Sequence, residues 1–183
     1  MSDSAIKWFH SYLSDRQQTV IDESGNKENW YRVSAGVPQG SVLGPLLFAI
    51  FINDLPDVLL HSEHMLYADD SQIYHQCFPS EIHRGIELMK RDAQSIADWS
   101  AANGLELNLN KSKVMILGSK AYIKSSVLNT HNLAPIQINS TNLEYTQLFK
   151  NLGIWLTPIL TWKSHVDHIL KKVHSALGSL HFH

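Results

Sequence analysis

His64–Tyr74, HMLYADDSQIY, sets two aspartates side by side between runs that otherwise read as strand. Tyr67, Ile73 and Tyr74 favour extended backbone; Asp69 and Asp70 do not. Neighbouring carboxylates repel, and no other residue of the eleven carries an opposite full charge. The stretch therefore predicts two short strands meeting at Asp69-Asp70. At such a turn the acids are either solvated or meet a cation.

The sequence on either side fills in a mixed architecture. Downstream, after Pro79-Ser80, Ile82, Ile86, Met89, Ala93 and Ile96 recur at spacings of three and four. That is a long amphipathic helix, with Ser80 a candidate N-cap and Asn103-Gly104 a stop. Val114 to Leu117 reads as a strand, 119–135 as a polar excursion, and Ile136 to Ile138 with Phe149 to Leu156 as a second pair of strands. From Trp162, the apolar positions Val166, Ile169, Val173, Leu177 and Leu180 predict a final helix. Upstream, Ile6, Phe9 and Leu13 mark an opening helix, and Gln18 to Asp22 with Asn29 to Val33 read as a hairpin. SAGVPQGSVLGPLLFAIFINDLP, Ser34–Pro56, is a loop through Gly40 and then a buried helix from about Val42 to Asn53, with Pro45 in its first turn.

Length and composition set bounds. The 183 residues suffice for one domain with a core, or for one and the start of another. No apolar run reaches the roughly 18 residues of a membrane span, and the N-terminal residues lack the pattern of a secretory signal. The expected location is intracellular, nuclear or cytoplasmic. The one cysteine, Cys77, excludes an internal disulfide and a cysteine-rich zinc site. Net charge is −2, but it is unevenly spread: residues 1–100 hold 7 Lys/Arg against 14 Asp/Glu, and residues 101–183 hold 8 against 3. A carboxylate site beside a phosphate-binding surface would show this asymmetry, and so would two ordinary solvated faces.

Three stretches carry possible chemistry. Two carboxylates on a rigid turn can share in holding hard divalent ions that bridge phosphate oxygens; alone, the turn is as well explained by solvation. Gly36-Val-Pro-Gln-Gly40 lets backbone approach another chain closely, and its Gln39 amide can bond a sugar or base. The plainer reading is a loop entering a helix. Asn110-Lys-Ser-Lys113 brings lysines that can meet a triphosphate or protonate departing pyrophosphate, or else form a solvated basic loop.

Taken together and in order, SAGVPQGSVLGPLLFAIFINDLP, LYADD, WSAANGLELNLNKSKVMILG and FKNLGIWL resemble the reverse transcriptase of non-LTR retrotransposons, nearest the jockey-like group. The resemblance runs from Trp8 to the final helix. It implies an α+β fold, an incomplete polymerase palm of ferredoxin-like split βαβ type with a primer-grip hairpin over residues 1–156 and the start of a thumb helix over 157–183. It implies that Asp69 and Asp70 bind Mg2+, with Mn2+ as a substitute, and that Lys111 faces the triphosphate with Lys113 beside it. Gly36, Pro38, Gln39 and Gly40 would touch template and incoming nucleotide, and Leu152-Gly153 would form the primer grip. Tyr67 would lie near the primer end, or else be an aromatic of the core. The implied partners are an RNA template, a DNA primer and dNTPs, with no membrane.

The family pattern also carries a further aspartate on an earlier strand. No segment between Met1 and Ser34 matches it, and the template-holding fingers are likewise expected upstream. The pair is then half a metal site, and the isolated chain is expected to lack significant polymerase activity. Two other readings stand beside this one: a non-catalytic element-derived remnant that at most binds nucleic acid, and a different metal-dependent phosphotransferase. His165 and His168 could share a metal from one helix face but lack an obvious third ligand, and most of the five tryptophans are expected in the core.

Overall fold

The computed structural model describes residues 2–123 and 133–181. The chain divides into two compact units, residues 1–53 and 54–183.

The first unit opens with α1 (Asp3–Leu13), capped by Ser2 Oγ, which accepts from the Ala5 N–H. A short antiparallel ladder follows, β1 (Arg16–Gln18) with β2 (Tyr31–Val33), Arg16 opposite Val33. The ladder starts two residues earlier than the sequence pattern predicts. The Asp22 carboxylate is the reason: it accepts from the N–H groups of Ser24 and Asn26 and from the Asn26 amide, so the turn occupies what looked like the strand end. α2 (Gly44–Phe51) then forms with Pro45 in its first turn. It is not the buried helix expected. Leu46, Ile50 and Phe51 are exposed, because the helix is apolar on nearly every side and Gly44 is its sole buried residue.

In the second unit a 3₁₀ turn (Leu55–Val58) leads into β3 (Glu63–Tyr67), which pairs antiparallel with β4 (Asp70–Tyr74) over five residue pairs, closing at Tyr67 opposite Asp70. The predicted meeting of two strands at the aspartate pair is thus present. A further 3₁₀ turn (Pro79–Glu81) takes up Ser80, which therefore does not cap the helix that follows. α3 (Ile82–Ala102) is the long amphipathic helix, and its apolar stripe organises the core. Ile86, Ala93 and Ala97 pack with Leu133, Ile136, Ile138 and Leu143, with Ile73 of β4 against the same cluster.

The remaining strands are shorter than the sequence pattern predicts. β5 (Lys113–Val114) pairs in parallel with β8 (Glu144–Tyr145). A short helix, α4 (Lys120–Ile123), starts the expected polar excursion, of which residues 124–132 lie outside the described residues. β6 (Gln137–Ile138) pairs with β7 (Thr141–Asn142), not with the 149–156 segment. A tight turn at Asn139-Ser140, both at positive φ, brings the adjacent strand within reach, and closing so short a loop costs little. β9 (Phe149–Asn151) and β10 (Ile154–Leu156) make their own hairpin, and α5 (Lys163–His181) packs on β10. Helix and strand are mixed as expected, and among the described residues the strands pair as five two-stranded ladders.

One carboxylate anchors the aspartate hairpin to this core. Asp92, 1% exposed on α3, accepts from the N–H of Leu60 at 3.1 Å and of His61 at 2.9 Å, where the chain enters β3. Burial alone would raise its pKa. The Ser62 hydroxyl, shared with Met89 Sδ at 3.2 Å, the two N–H donors and the nearby His61 outweigh that and hold it below the ordinary 3.8. At the other end of the hairpin the His75 ring donates from Nδ1 to the His61 carbonyl at 2.7 Å. Asp92→Ala leaves two inward N–H groups unpaired and should lower the unfolding free energy by about 3 kcal/mol in urea titrations. Because the folded pKa lies below the unfolded one, this stabilisation is full above the ordinary carboxylate range and is lost as pH falls through the folded value. Asp92→Asn should flatten that part of the stability–pH curve.

Candidate functional site

The tip of the β3–β4 hairpin is a two-residue turn, Ala68-Asp69. Ala68 has φ +50° while Asp69 is not in the positive-φ region, a type II′ pattern that glycine would fill without strain. The turn raises Asp69, and Asp70 opens β4 beside it. Both carboxylates are exposed, and neither has a hydrogen bond or ion pair among the described residues. They are hard oxygen donors of the kind a Mg2+ ion takes, and they fit that ion as two of its ligands. Among the described residues no group of three His, Cys, Asp or Glu converges on a metal position. Tyr67 is 63% exposed at the same tip, which removes the reading of it as a core aromatic.

The β9–β10 hairpin has a matching design. Leu152 (φ +45°) and Gly153 (φ +89°) form its two-residue turn, a type I′ pattern in which glycine is at home and leucine is not. A reciprocal amide pair ties this hairpin to the first one. Gln72 Nε2 donates to Asn151 Oδ1 at 3.0 Å, and Asn151 Nδ2 donates to Gln72 Oε1 at 3.0 Å. The strand that carries Asp70 is thereby tied to the closing pair of the Leu152-Gly153 turn. On the far side, β10 rests on α5: the Trp155 N–H donates to His165 Nδ1 at 3.3 Å, and the Trp155 ring stacks on His168 at 4.2 Å. The two histidines hold the last helix in place, so their spacing reflects packing.

The two lysines differ. Lys113, on β5, is bound to Glu144 of the neighbouring strand at 2.7 Å. Lys111 sits in an exposed turn held by Asn108, and its ammonium has no acidic partner among the described residues. Neither lysine is linked by hydrogen bond or ion pair to the aspartates among the described residues.

Gly36, Pro38, Gln39 and Gly40 belong to the first unit. The Arg16 guanidinium donates to the carbonyls of Ala35 (3.3 Å) and Gly36, and Nε to that of Leu13 (3.1 Å), fixing the loop's base. Gly36 (φ +79°) and Gly40 (φ +78°) supply the two left-handed corners that let the loop turn back. The Ser41 N–H then bonds the Pro38 carbonyl, and Ser41 Oγ accepts from the Gly44 N–H at the start of α2. The Gln39 side chain is exposed and has no hydrogen bond among the described residues. An open cleft of about 440 Å³ along α3, lined by Glu87, Lys90, Arg91, Gln94 and Asp98 among others, includes none of these residues.

Residues 2–156 match the family model described as reverse transcriptase (RNA-dependent DNA polymerase). The chain belongs to this family. It is 28% identical over 172 residues to the probable RNA-directed DNA polymerase from transposon X-element of Drosophila melanogaster, covering 92% of this chain and 18% of that protein. It is 26% identical over 170 residues to the RNA-directed DNA polymerase from mobile element jockey of the same fly, covering 87% and 17%. With the probable polymerase from transposon BS it shares 30% identity over 181 residues, covering 93% and 18%. The jockey-like resemblance read from the motifs is borne out. The chain spans less than a fifth of the length of these relatives. No solved structure matches it.

Three residues that shape this reverse transcriptase segment were not singled out from sequence: Arg16, Gln72 and Asn151. The strand alternation that places Gln72 on the side of Asp70 was legible; its partner 79 residues later was not. Most of the five tryptophans are expected in the core, yet three are more than half exposed, Trp8 at 51%, Trp30 at 59% and Trp162 at 65%. Leucine in the left-handed region at position 152 costs about 1 kcal/mol. Leu152→Asn should therefore raise the urea midpoint by a matching amount, and Leu152→Ile, stiffer at Cβ, should lower it.

Proposed function

We propose that this chain is part of the catalytic palm of a retroelement RNA-directed DNA polymerase, residues 1–156, with the start of a thumb helix in residues 157–183. The reaction is nucleotidyl transfer: the primer's 3′ hydroxyl oxygen bonds the α-phosphorus of a dNTP, the hydroxyl proton leaves, and the bond to pyrophosphate breaks. The observation that carries this reading is the hairpin tip itself, two adjacent carboxylates with no hydrogen bond or ion pair among the described residues, within a segment that matches the reverse transcriptase family. When bound there, Mg2+ supplies charge neutralisation at the phosphates and lowers the pKa of the attacking hydroxyl.

Asp69 and Asp70 hold that ion, or Mn2+ in its place. Lys111, with no acidic partner among the described residues, faces the triphosphate and can return a proton to the leaving pyrophosphate. Lys113, already bound to Glu144, contributes positive potential there but no free ammonium. Gln39, on the Gly36–Gly40 loop with Pro38, bonds the template or incoming nucleotide, and exposed Tyr67 stacks near the primer end. Leu152-Gly153 grips the primer. RNA template, DNA primer and dNTPs are the partners. No helix of the described residues is long and apolar enough to cross a membrane.

Two carboxylates do not complete a two-metal site. A primer-extension assay with Mg2+ or Mn2+ on the 183-residue chain should show no dNTP incorporation; clear incorporation refutes the half-site. The polymerase reading itself is tested by placing residues 2–156 in the matching segment of the fly jockey polymerase. The folded chimaera should copy RNA into DNA, Asp70→Asn should reduce the rate about a thousandfold, and Gln39→Ala should raise the KM for dNTP about tenfold. A chimaera that folds but extends no primer overturns the proposal.

A further inference from the structure

The amide pair between Gln72 and Asn151 joins two hairpins that share no backbone ladder. A two-stranded hairpin is barely stable by itself, so where its tip sits depends on its tertiary ties. Among the described residues these are the only side-chain hydrogen bonds between the two hairpins.

Their placement is specific. Gln72 lies two residues after Asp70 on β4, hence on the same side of the strand and about 7 Å along it. Asn151 is the last residue of β9, paired with Ile154 across the Leu152-Gly153 turn. The amide ring therefore connects the strand that carries the second carboxylate to the closing pair of the other hairpin. Both side chains are half-buried. A half-buried amide that loses its partner retains the desolvation cost without the bond, so the paired arrangement is favoured over either amide alone. The pair also has a fixed reach, one glutamine plus one asparagine. Hydrophobic packing tolerates sliding; two antiparallel hydrogen bonds between planar amides do not.

We propose that Gln72 and Asn151 are positioning residues that set the separation between the Asp69-Asp70 carboxylates and the Leu152-Gly153 turn. The inference rests on the polymerase reading for the meaning of those two ends: one holds the metal, the other the primer. Neither amide touches a reacting atom. They hold the primer-gripping turn at the distance at which a primer end meets the metal ligands.

The test uses the 183-residue chain, isotope-labelled for NMR, with Mn2+ as the probe. Bound at the hairpin tip, Mn2+ should broaden the backbone amide signals of Ala68–Asp70 and also those of Asn151–Gly153. The double change of Asp69→Asn with Asp70→Asn should abolish both effects. Gln72→Leu or Asn151→Leu should leave the broadening at 68–70 in place. At 151–153 it should fall about three-fold if the gap widens by about a fifth, since the effect decays with the sixth power of distance. Combining Gln72→Asn with Asn151→Gln preserves the total reach and should restore it, while each of those changes alone, one methylene too short or too long, should not. Signal dispersion checks that each variant is folded. Should a leucine variant unfold, the single amide exchanges carry the comparison.

Broadening at 151–153 that is the same in the wild type and in the folded single variants overturns the positioning role and leaves the metal reading intact. No broadening at 68–70 in the wild type overturns the metal reading, and the positioning role with it.

Discussion

A carboxylate buried in the middle of a helix fixes the root of the aspartate hairpin. Among the described residues Asp92 forms no ion pair; its carboxylate is met by the backbone N–H groups of Leu60 and His61, with Ser62 and the His61 ring nearby. An ionised group in the interior is tolerable only when its charge is met by donors of this kind. The same short stretch is gripped again from the exit side, where His75 bonds the His61 carbonyl. Gly85 allows α3 to approach there, since a Cβ at that position would stand 3.0 Å from Cys77 Sγ and 3.3 Å from the His75 ring. Entry to the hairpin is bonded to Asp92, and its exit packs beside Gly85, about two turns earlier on the same helix.

That arrangement explains why the tip can afford two unneutralised acids. Elsewhere in the described residues opposite charges meet, as in Lys113 with Glu144 and Arg32 with Asp15. At the tip neither carboxylate has a cationic partner among the described residues, and repulsion between the two is relieved by solvent or by a ligand. The structural anchor and the exposed pair are both aspartates, yet they perform opposite tasks. One has its charge fully met from within, and the other has its charge presented outward. Two hairpins then converge through an amide pair, and each keeps a non-glycine residue in the left-handed region at its turn, Ala68 and Leu152. Such residues persist where surrounding contacts over-determine the backbone.

Much of this was legible beforehand. The three-and-four spacing of Ile82, Ile86, Met89, Ala93 and Ile96 gave α3 and its inward face, because helical periodicity is a local property. The aspartate turn was legible for the same reason, since adjacent acids between strand formers leave the backbone little else to do. The family strings located Gln39, Lys111 and the Leu152-Gly153 turn. What misled was also physical. The apolar run from Val42 to Asn53 reads as a buried helix, but burial needs a covering surface, and α2 leaves Leu46, Ile50 and Phe51 exposed. Ile138 was paired with the wrong strand because a nearer one, two residues on, costs less loop closure.

The amino-acid order by itself determined the helices α1, α3 and α5, the family, and the two carboxylates at a turn between strands. Each of these depends on residues within a few positions of one another or on strings inherited whole. Tertiary structure alone decided which acid is buried and which is presented, which lysine is spent on a salt bridge, and that Gln72 meets Asn151. Those outcomes depend on pairs separated by tens of residues, whose encounter is set by packing around α3 and leaves no local mark in the sequence.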